Sequence, residues 1–312
     1  MGEAPVSRPA GRLGWARRRW LVGGPPFVWL LVLFLAPFGL VLKIALSERV
    51  NARPPYAPTL SWDDGLAGLL DKLGSLSLDN FRLMLDEPLY LDSFLTSLRL
   101  AATATLLVLL IGYPFAYALA RTPARWRSIA VTLAILPFWT SFLIRVYAWI
   151  GILKPEGLLN AVLQAAGLIV QPLEILDTDA AVLIGLVYSY LPFMVLPLYA
   201  ALERMDESLI EAARDLGSPP WRAFWQVTVP LSLPGVAAGC FLVFIPALGE
   251  FVIPDLLGGS DTLMIGRTLW TEFFNNRDWP LASALAVVLL VVIVGPVLVY
   301  RHLETRRMEQ VR

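Results

Sequence analysis

Residues 209–234 read LIEAARDLGSPPWRAFWQVTVPLSLP, and the fold of this stretch decides how the rest of the chain is understood. Asp206 or Ser208 can cap a short helix, in which Leu209, Ala212, Ala213 and Leu216 share one face at helical spacing. Gly217 stands where a helix C-terminus favours a residue that tolerates positive φ. Ser218 predicts a second N-cap, with Pro219 at the first helical position, where a missing N–H costs nothing. Trp221, Phe224, Trp225 and Thr228 make the next stripe, which Pro230 and Pro234 are predicted to stop. The expected object is a helix–Gly–helix elbow with a small apolar face, open to water and set between two long apolar segments.

Composition explains those flanks. Of 312 residues, 57% are hydrophobic and 16% charged, too apolar for an ordinary soluble domain. A single cysteine, Cys240, excludes an internal disulfide framework. A single histidine, His302, excludes His-based metal clusters and most nucleophilic triads. None of the three lysines, Lys43, Lys72 and Lys154, follows a glycine. The chain therefore has no Walker A loop, and ATP chemistry would need another chain.

In order, residues 1–20 form a basic tail and 21–46 a first membrane span centred on the uncharged run Phe27 to Leu42. A cleaved signal peptide is the rival for that run, but it is long and lacks a small-residue cleavage site. Residues 47–92 are polar and predicted to lie outside. Residues 93–301 hold five further spans: Ser93 to Ala120, broken by Gly112 and Pro114; Ser128 to Gly151; Ala180 to Leu202; Gly235 to Pro254; and Leu281 to Tyr300. Short apolar pieces between Leu153 and Asp179 are predicted to be interfacial or re-entrant. The elbow occupies 203–234, and 302–312 is a second basic tail.

Six spans put both termini, the Arg121 loop and the elbow on one side. That side carries 15 Lys and Arg, against 7 on the other, where the loops are longer, so the positive-inside rule makes the elbow cytoplasmic. Acids run the opposite way, 16 outside against eight inside. This is either ordinary solvated loop or an acidic mouth that concentrates a cationic solute.

The spacing Glu211-Ala212-Ala213, three residues, Gly217, nine residues, Val227-Thr228-Val229-Pro230 resembles the EAA motif of binding-protein-dependent ABC importer permeases. Val227 and Val229 stand where that family usually has Ile and Leu. The stretches LPFWTSFLIRVYAW at 136–149, YLPFMVLP at 190–197, FIPALGEFVIPDLLGG at 244–259 and FFNNRDWP at 273–280 are similar to polyamine importer permeases, closest to the putrescine type. The likeness runs from about Leu35 to Tyr300. It implies an all-α integral membrane protein of six transmembrane helices, with the type I importer (MetI-like) fold and a cytoplasmic coupling helix. It also implies a bacterial inner-membrane location. The implied partners are a second homologous permease, an ATPase dimer that binds the ATP and Mg, a periplasmic solute-binding protein and a polyamine substrate. No cofactor in this chain and no nucleic acid are implied. Glu211, Ala212, Ala213, Asp215, Gly217, Trp221, Phe224 and Pro230 are the expected ATPase-coupling residues.

A diammonium solute needs carboxylates, carbonyls or aromatic faces to leave water, with cation–π contacts contributing about 0.5–2 kcal/mol each. Glu250 is the one acid within a predicted span, where Pro246 and Gly249 can break the helix, and Asp255 lies just beyond. With Trp139, Tyr147, Tyr188 and Tyr190 these are the candidate path residues. Structural alternatives stand beside each. Glu250 can pair with Arg145 or Arg99, Asp255 can cap a loop, and the aromatics can be core or interfacial belt. Spermidine or another small cation is the rival solute. An ion-driven secondary transporter would predict inverted repeats and several buried acids, and neither is seen.

Overall fold

The computed structural model describes residues 23–61 and 65–310; the predicted tail at 1–20 lies outside them. The described residues are helical apart from one short antiparallel hairpin, β1 (Glu48–Arg49) and β2 (Tyr56–Ala57), in which Glu48 faces Ala57 and Arg49 faces Tyr56. They form two compact units, one reaching Arg82 and including Arg277–Leu290, the other comprising Leu83–Asn276 and the remainder of the last helix.

In the first unit α1 (Gly23–Ala45) is uncovered along its apolar length and packs only near its C-terminus. There Ala45, with Phe38 and Val41, meets Phe81, Ala284 and Val287. Lys43, just past the uncharged run, is buried, donates to the Pro58 carbonyl and lies 4.5 Å from the centre of the Tyr56 ring. Asn80 ties the loop down by donating to the carbonyls of Ala45 and Ser47, both at 2.8 Å. Arg49 pairs with Asp278 at 3.2 Å. The other Asp278 oxygen accepts from the Leu281 N–H. The polar segment also carries α2 (Gly65–Gly74) and α3 (Asp79–Asp86).

The second unit is organised by three long helices, α4 (Pro88–Arg121), α8 (Asp179–Glu203) and α10 (Pro220–Leu248). Small residues set their spacing, as expected where backbones pack closely without water. A Cβ added to Gly112 would lie 3.1 Å from Met194 Cγ, and one added to Gly235 would lie 2.6 Å from Ala201 Cβ and 2.9 Å from the Pro197 carbonyl oxygen. Gly112 therefore serves close approach, and α4 runs through Gly112 and Pro114 without the predicted break. Leu100, Val108, Leu186, Met194, Leu198 and Val243 fill the buried centre.

Two further predictions need correction. The third span is not straight: Ala124–Trp139 and Phe142–Ala165 meet at 84°. This break comprises α5 (Ala124–Ile135), a 3₁₀ turn over Leu136–Trp139 that contains Pro137, then α6 (Phe142–Leu153) and α7 (Leu158–Ala165). The fifth span begins earlier and ends earlier than predicted. Its helix stops at Leu248 with Gly249 as the cap, which leaves Glu250 outside it. Short helices α11 (Val252–Leu257) and α12 (Ile265–Trp270) follow, and α12 runs into a π turn at Thr271–Asn275. Helix α13 (Trp279–Gln310) comes last among the described residues and includes residues 302–310 of the tail. Among the described residues four helices are long and apolar enough to cross a membrane, α1, α4, α8 and α10. The bent pair makes five if it counts as one span, and the apolar stretch of α13, Trp279–Gly295, is shorter.

Candidate functional site

The elbow forms as two helices about a glycine, with its details revised. Helix α9 (Glu207–Asp215) is capped by Asp206, whose Oδ1 accepts the Ser208 N–H at 3.0 Å. That backbone donor, assisted by the Ser208 side chain, holds the Asp206 carboxyl below the ordinary carboxylate range. Gly217 has φ +83°, and the Ser218 and Gly217 N–H groups donate to the carbonyls of Ala213 and Arg214 at 3.0 and 2.8 Å. This pair of bonds is the Schellman arrangement that satisfies the last carbonyls of a helix. The second helix starts one residue later than predicted, with Pro219 as cap and Pro220 at the first helical position. Ser218 makes no cap.

Pro230 and Pro234 do not stop that helix. It continues as α10, because a π turn over Phe224–Thr228 widens the backbone just before Pro230, where the ring would otherwise meet the carbonyl four residues back. The elbow is thus continuous with a long helix. Phe224 anchors it from below, edge-on to the rings of Tyr113 and Tyr117 at 5.7 and 5.6 Å. Tyr113 shares a hydrogen bond with Ser232 at 2.8 Å.

What α9 buries is Ile210 alone; Glu211, Ala212 and Asp215 are exposed, and Leu216 is 88% exposed. Trp221, at 66%, and Trp225 are also uncovered. The apolar face predicted from spacing is therefore present and exposed at Leu209 and Leu216. Two ion pairs hold α9 and the end of α8 to the α4–α5 corner, Arg121 at the end of α4 with Glu207 at 2.6 Å and Arg127 in α5 with Glu203 at 3.1 Å. A polar cavity of ≈ 220 Å³ lies at the first of these pairs, lined by Tyr117, Arg121, Glu207, Ile210, Glu211 and Arg214. Arg121 had been counted only as a positive charge. Its position one residue after a long apolar run was the available signal for an anchoring role.

The path candidates do not converge as a group. Glu250 and Tyr190 meet, the phenol donating to Oε2 at 2.6 Å. The other carboxylate oxygen accepts from the N–H groups of Phe251, Val252 and Ile253 at 3.1, 2.9 and 3.5 Å, capping α11. Glu250 therefore pairs with neither Arg145 nor Arg99. Arg99 is bound to Asp179, which also accepts from Thr262 at 2.6 Å. Arg145 has no ion pair among the described residues. Its guanidinium lies 4.9 Å from the Phe138 ring and 5.9 Å from Phe142. Asp255 pairs with Arg267 at 3.2 Å. Tyr188 packs on Trp149 at 5.5 Å, while Trp139 and Tyr147 are exposed. Sequence reasoning also missed the ring series Phe251, Trp270 and Phe274, the first pair stacked at 4.6 Å between centres and the second tilted at 4.1 Å.

Comparison with known proteins gives the family and the fold. Residues 112–309 match the family described as "Binding-protein-dependent transport system inner membrane component". The chain is 39% identical over 274 residues to the spermidine/putrescine transport system permease protein PotB of Haemophilus influenzae, covering 88% of this chain and 90% of that one. It is 46% identical over 224 residues to PotB of Escherichia coli K12, covering 72% and 81%. The molybdenum transport system permease protein ModB of Mycobacterium bovis is 32% identical over 219 residues, covering 70% and 81%. In fold the chain is similar to a bacterial alginate ABC transporter crystallised with an alginate-bound periplasmic protein. That match has a TM-score of 0.72 and 18% identity, and covers 95% of this chain and 97% of that one.

Proposed function

Because the chain belongs to the family of binding-protein-dependent transport inner membrane components, we propose that it is the permease subunit of an ATP-driven polyamine importer in a bacterial inner membrane. It is a transport subunit and not itself an enzyme. The solute class rests on the relatives at 39% and 46% identity, both described as spermidine/putrescine permeases, which widens the expectation of putrescine to both amines. The 32% match to a molybdenum permease is the reason family membership alone does not fix the solute.

The observation that carries the coupling role is the uncovered α9 face, closed by Gly217 and continuous through Phe224 with α10. An ATPase seated on Glu211, Ala212, Ala213, Asp215, Gly217 and Trp221 would move α9, and the unbroken helix through Pro230 would carry that movement into the bundle. The absence of a Walker A loop makes the ATPase dimer, with its ATP and Mg, a separate chain. The charge bias of 15 against 7 supports six spans with both termini and the elbow in the cytoplasm. A periplasmic solute-binding protein supplies the polyamine from the other face, as the acidic outer loops favour. The solute then passes along a seam shared with a second, homologous permease. Exposed Tyr147 and Trp139 are the candidate ring contacts there, with Tyr188 against Trp149, and Asp255 and Glu250 stand at the break after α10.

The test is uptake of labelled putrescine and spermidine into vesicles that carry the whole complex, with and without ATP. ATP-dependent uptake of either amine, suppressed by an excess of the other, is the expected result. Uptake that needs an ion gradient and not ATP would refute it.

A further inference from the structure

We propose that the face of α6 around Arg145 is the docking surface for the second permease subunit, and that this subunit supplies a carboxylate to Arg145. The proposal rests on the reading of the chain as one of two permeases. Arg145 stands in the first turn of α6, within the apolar bent pair, and its Nε is buried without a hydrogen-bond partner. No acid stands in that turn. A cation there meets the positive end of the helix dipole, which adds to the cost of holding a charge away from water. Glu250 and Asp179 are both occupied elsewhere: Glu250 caps α11 and binds Tyr190, and Asp179 binds Arg99 and Thr262.

The side chain lies against Phe138 and Phe142, so its stem is not free to reach along the helix toward a headgroup. A ring series continues inward from Phe138 to Phe193 at 5.1 Å and Phe193 to Tyr190 at 6.0 Å. The inner side of the guanidinium is thus walled by aromatic rings. Its terminal nitrogens are not among the sealed atoms and make no hydrogen bond among the described residues, so they remain open at the surface. Around it Leu143, Ile144 and Tyr147 are uncovered, Ile144 at 68%. An apolar helix face with an unmet planar cation at its centre fits a facing helix that carries Asp or Glu, since a guanidinium binds a carboxylate through two parallel hydrogen bonds. A cationic solute is excluded as the partner by charge.

The experiment places a photo-activatable benzophenone amino acid at Ile144, leaving Arg145 intact, in the assembled complex. Cross-linked peptides are then mapped by mass spectrometry. The expected product joins Ile144 to a membrane helix of the second permease with an acid within one turn. Arg145→Glu should lower co-purification of that subunit at least 10-fold, Arg145→Lys should retain most of it, and replacing the mapped acid by Arg should restore it to Arg145→Glu. Cross-links to lipid alone, or to a segment of the second permease without an acid, overturn the proposal. If no second permease co-purifies with the unmodified chain, the importer reading itself fails, which is a different result from a second permease that is present but cross-links elsewhere.

Discussion

Substitution at Gly217 isolates one conformational term. An added Cβ would meet no heavy atom within 4 Å, so a side chain there clashes only with its own backbone. The left-handed conformation at φ +83° disfavours a non-glycine residue by about 1–2 kcal/mol. That corresponds to a factor of roughly 5–30 in the population of the closed elbow. Asn enters this region more readily than Ala, and a β-branched residue least of all. If the Ser218 and Gly217 hydrogen bonds keep α9 in the conformation an ATPase engages, ATP-driven uptake by the reconstituted complex should fall in the order Gly217, Gly217→Asn, Gly217→Ala, Gly217→Val. The Ala variant should lose up to roughly 30-fold, the ceiling set by the conformational term. The amount of complex in the membrane should not change, because no packing contact is disturbed. Full-rate uptake by Gly217→Val refutes the reasoning, and so does an Asn variant as impaired as the Val variant.

Other perturbations probe separate parts of the chain. Gly235→Ala places a methyl 2.6 Å from Ala201 Cβ and should destabilise the α8–α10 contact by about 1–3 kcal/mol, read as a lower melting temperature in detergent. Tyr190→Phe leaves one oxygen of Glu250 without its donor and should lower stability by about 1–3 kcal/mol while the half-saturating polyamine concentration stays unchanged. A raised half-saturation would instead make the pair a solute contact. The Arg121–Glu207 pair is partly exposed, so a double-mutant cycle should give under about 1 kcal/mol, and less at high salt. The Asp206 carboxyl is depressed in the folded elbow, so its contribution is complete above the unfolded value and is lost as pH falls through the lower folded value. Proteolysis of the elbow should therefore rise only in strong acid, and Asp206→Asn, which keeps a capping side chain, should remove that pH dependence.

Much of the elbow was legible because its signals are local. Asp206, Gly217 and the stripe through Phe224 are read within a few residues, and each acts through backbone conformation close by. The halt assigned to Pro230 failed because a π turn accommodates the ring, and nothing in the residue types announces that widened turn. Gly112 suggested a break for the same local reason, whereas its role is set by Met194, 82 positions away. The long apolar spans could be read from composition, but the 84° bend between Ala124–Trp139 and Phe142–Ala165 could not. Pro137 marks the place without giving the angle. Glu250 was read as an acid inside a span because Gly249 was taken as a break in a helix that in fact ends there. Its partners, Tyr190 and three successive N–H groups, are a tertiary fact. The partner of Arg99 is likewise Asp179, which charge counting had placed only on the outer surface.

The central claim is that the uncovered face of α9 meets the ATPase in the cytoplasm. The most direct measurement places a cysteine at Leu216, the most exposed large apolar residue of the elbow, in a Cys240→Ser background, and applies a short cross-linker to the intact complex with and without ATP. A product should form between Leu216→Cys and the ATPase subunit, and its yield should change when ATP is bound. No ATPase product in either state, or labelling of that cysteine by a membrane-impermeant thiol reagent added from the periplasmic side, would contradict it.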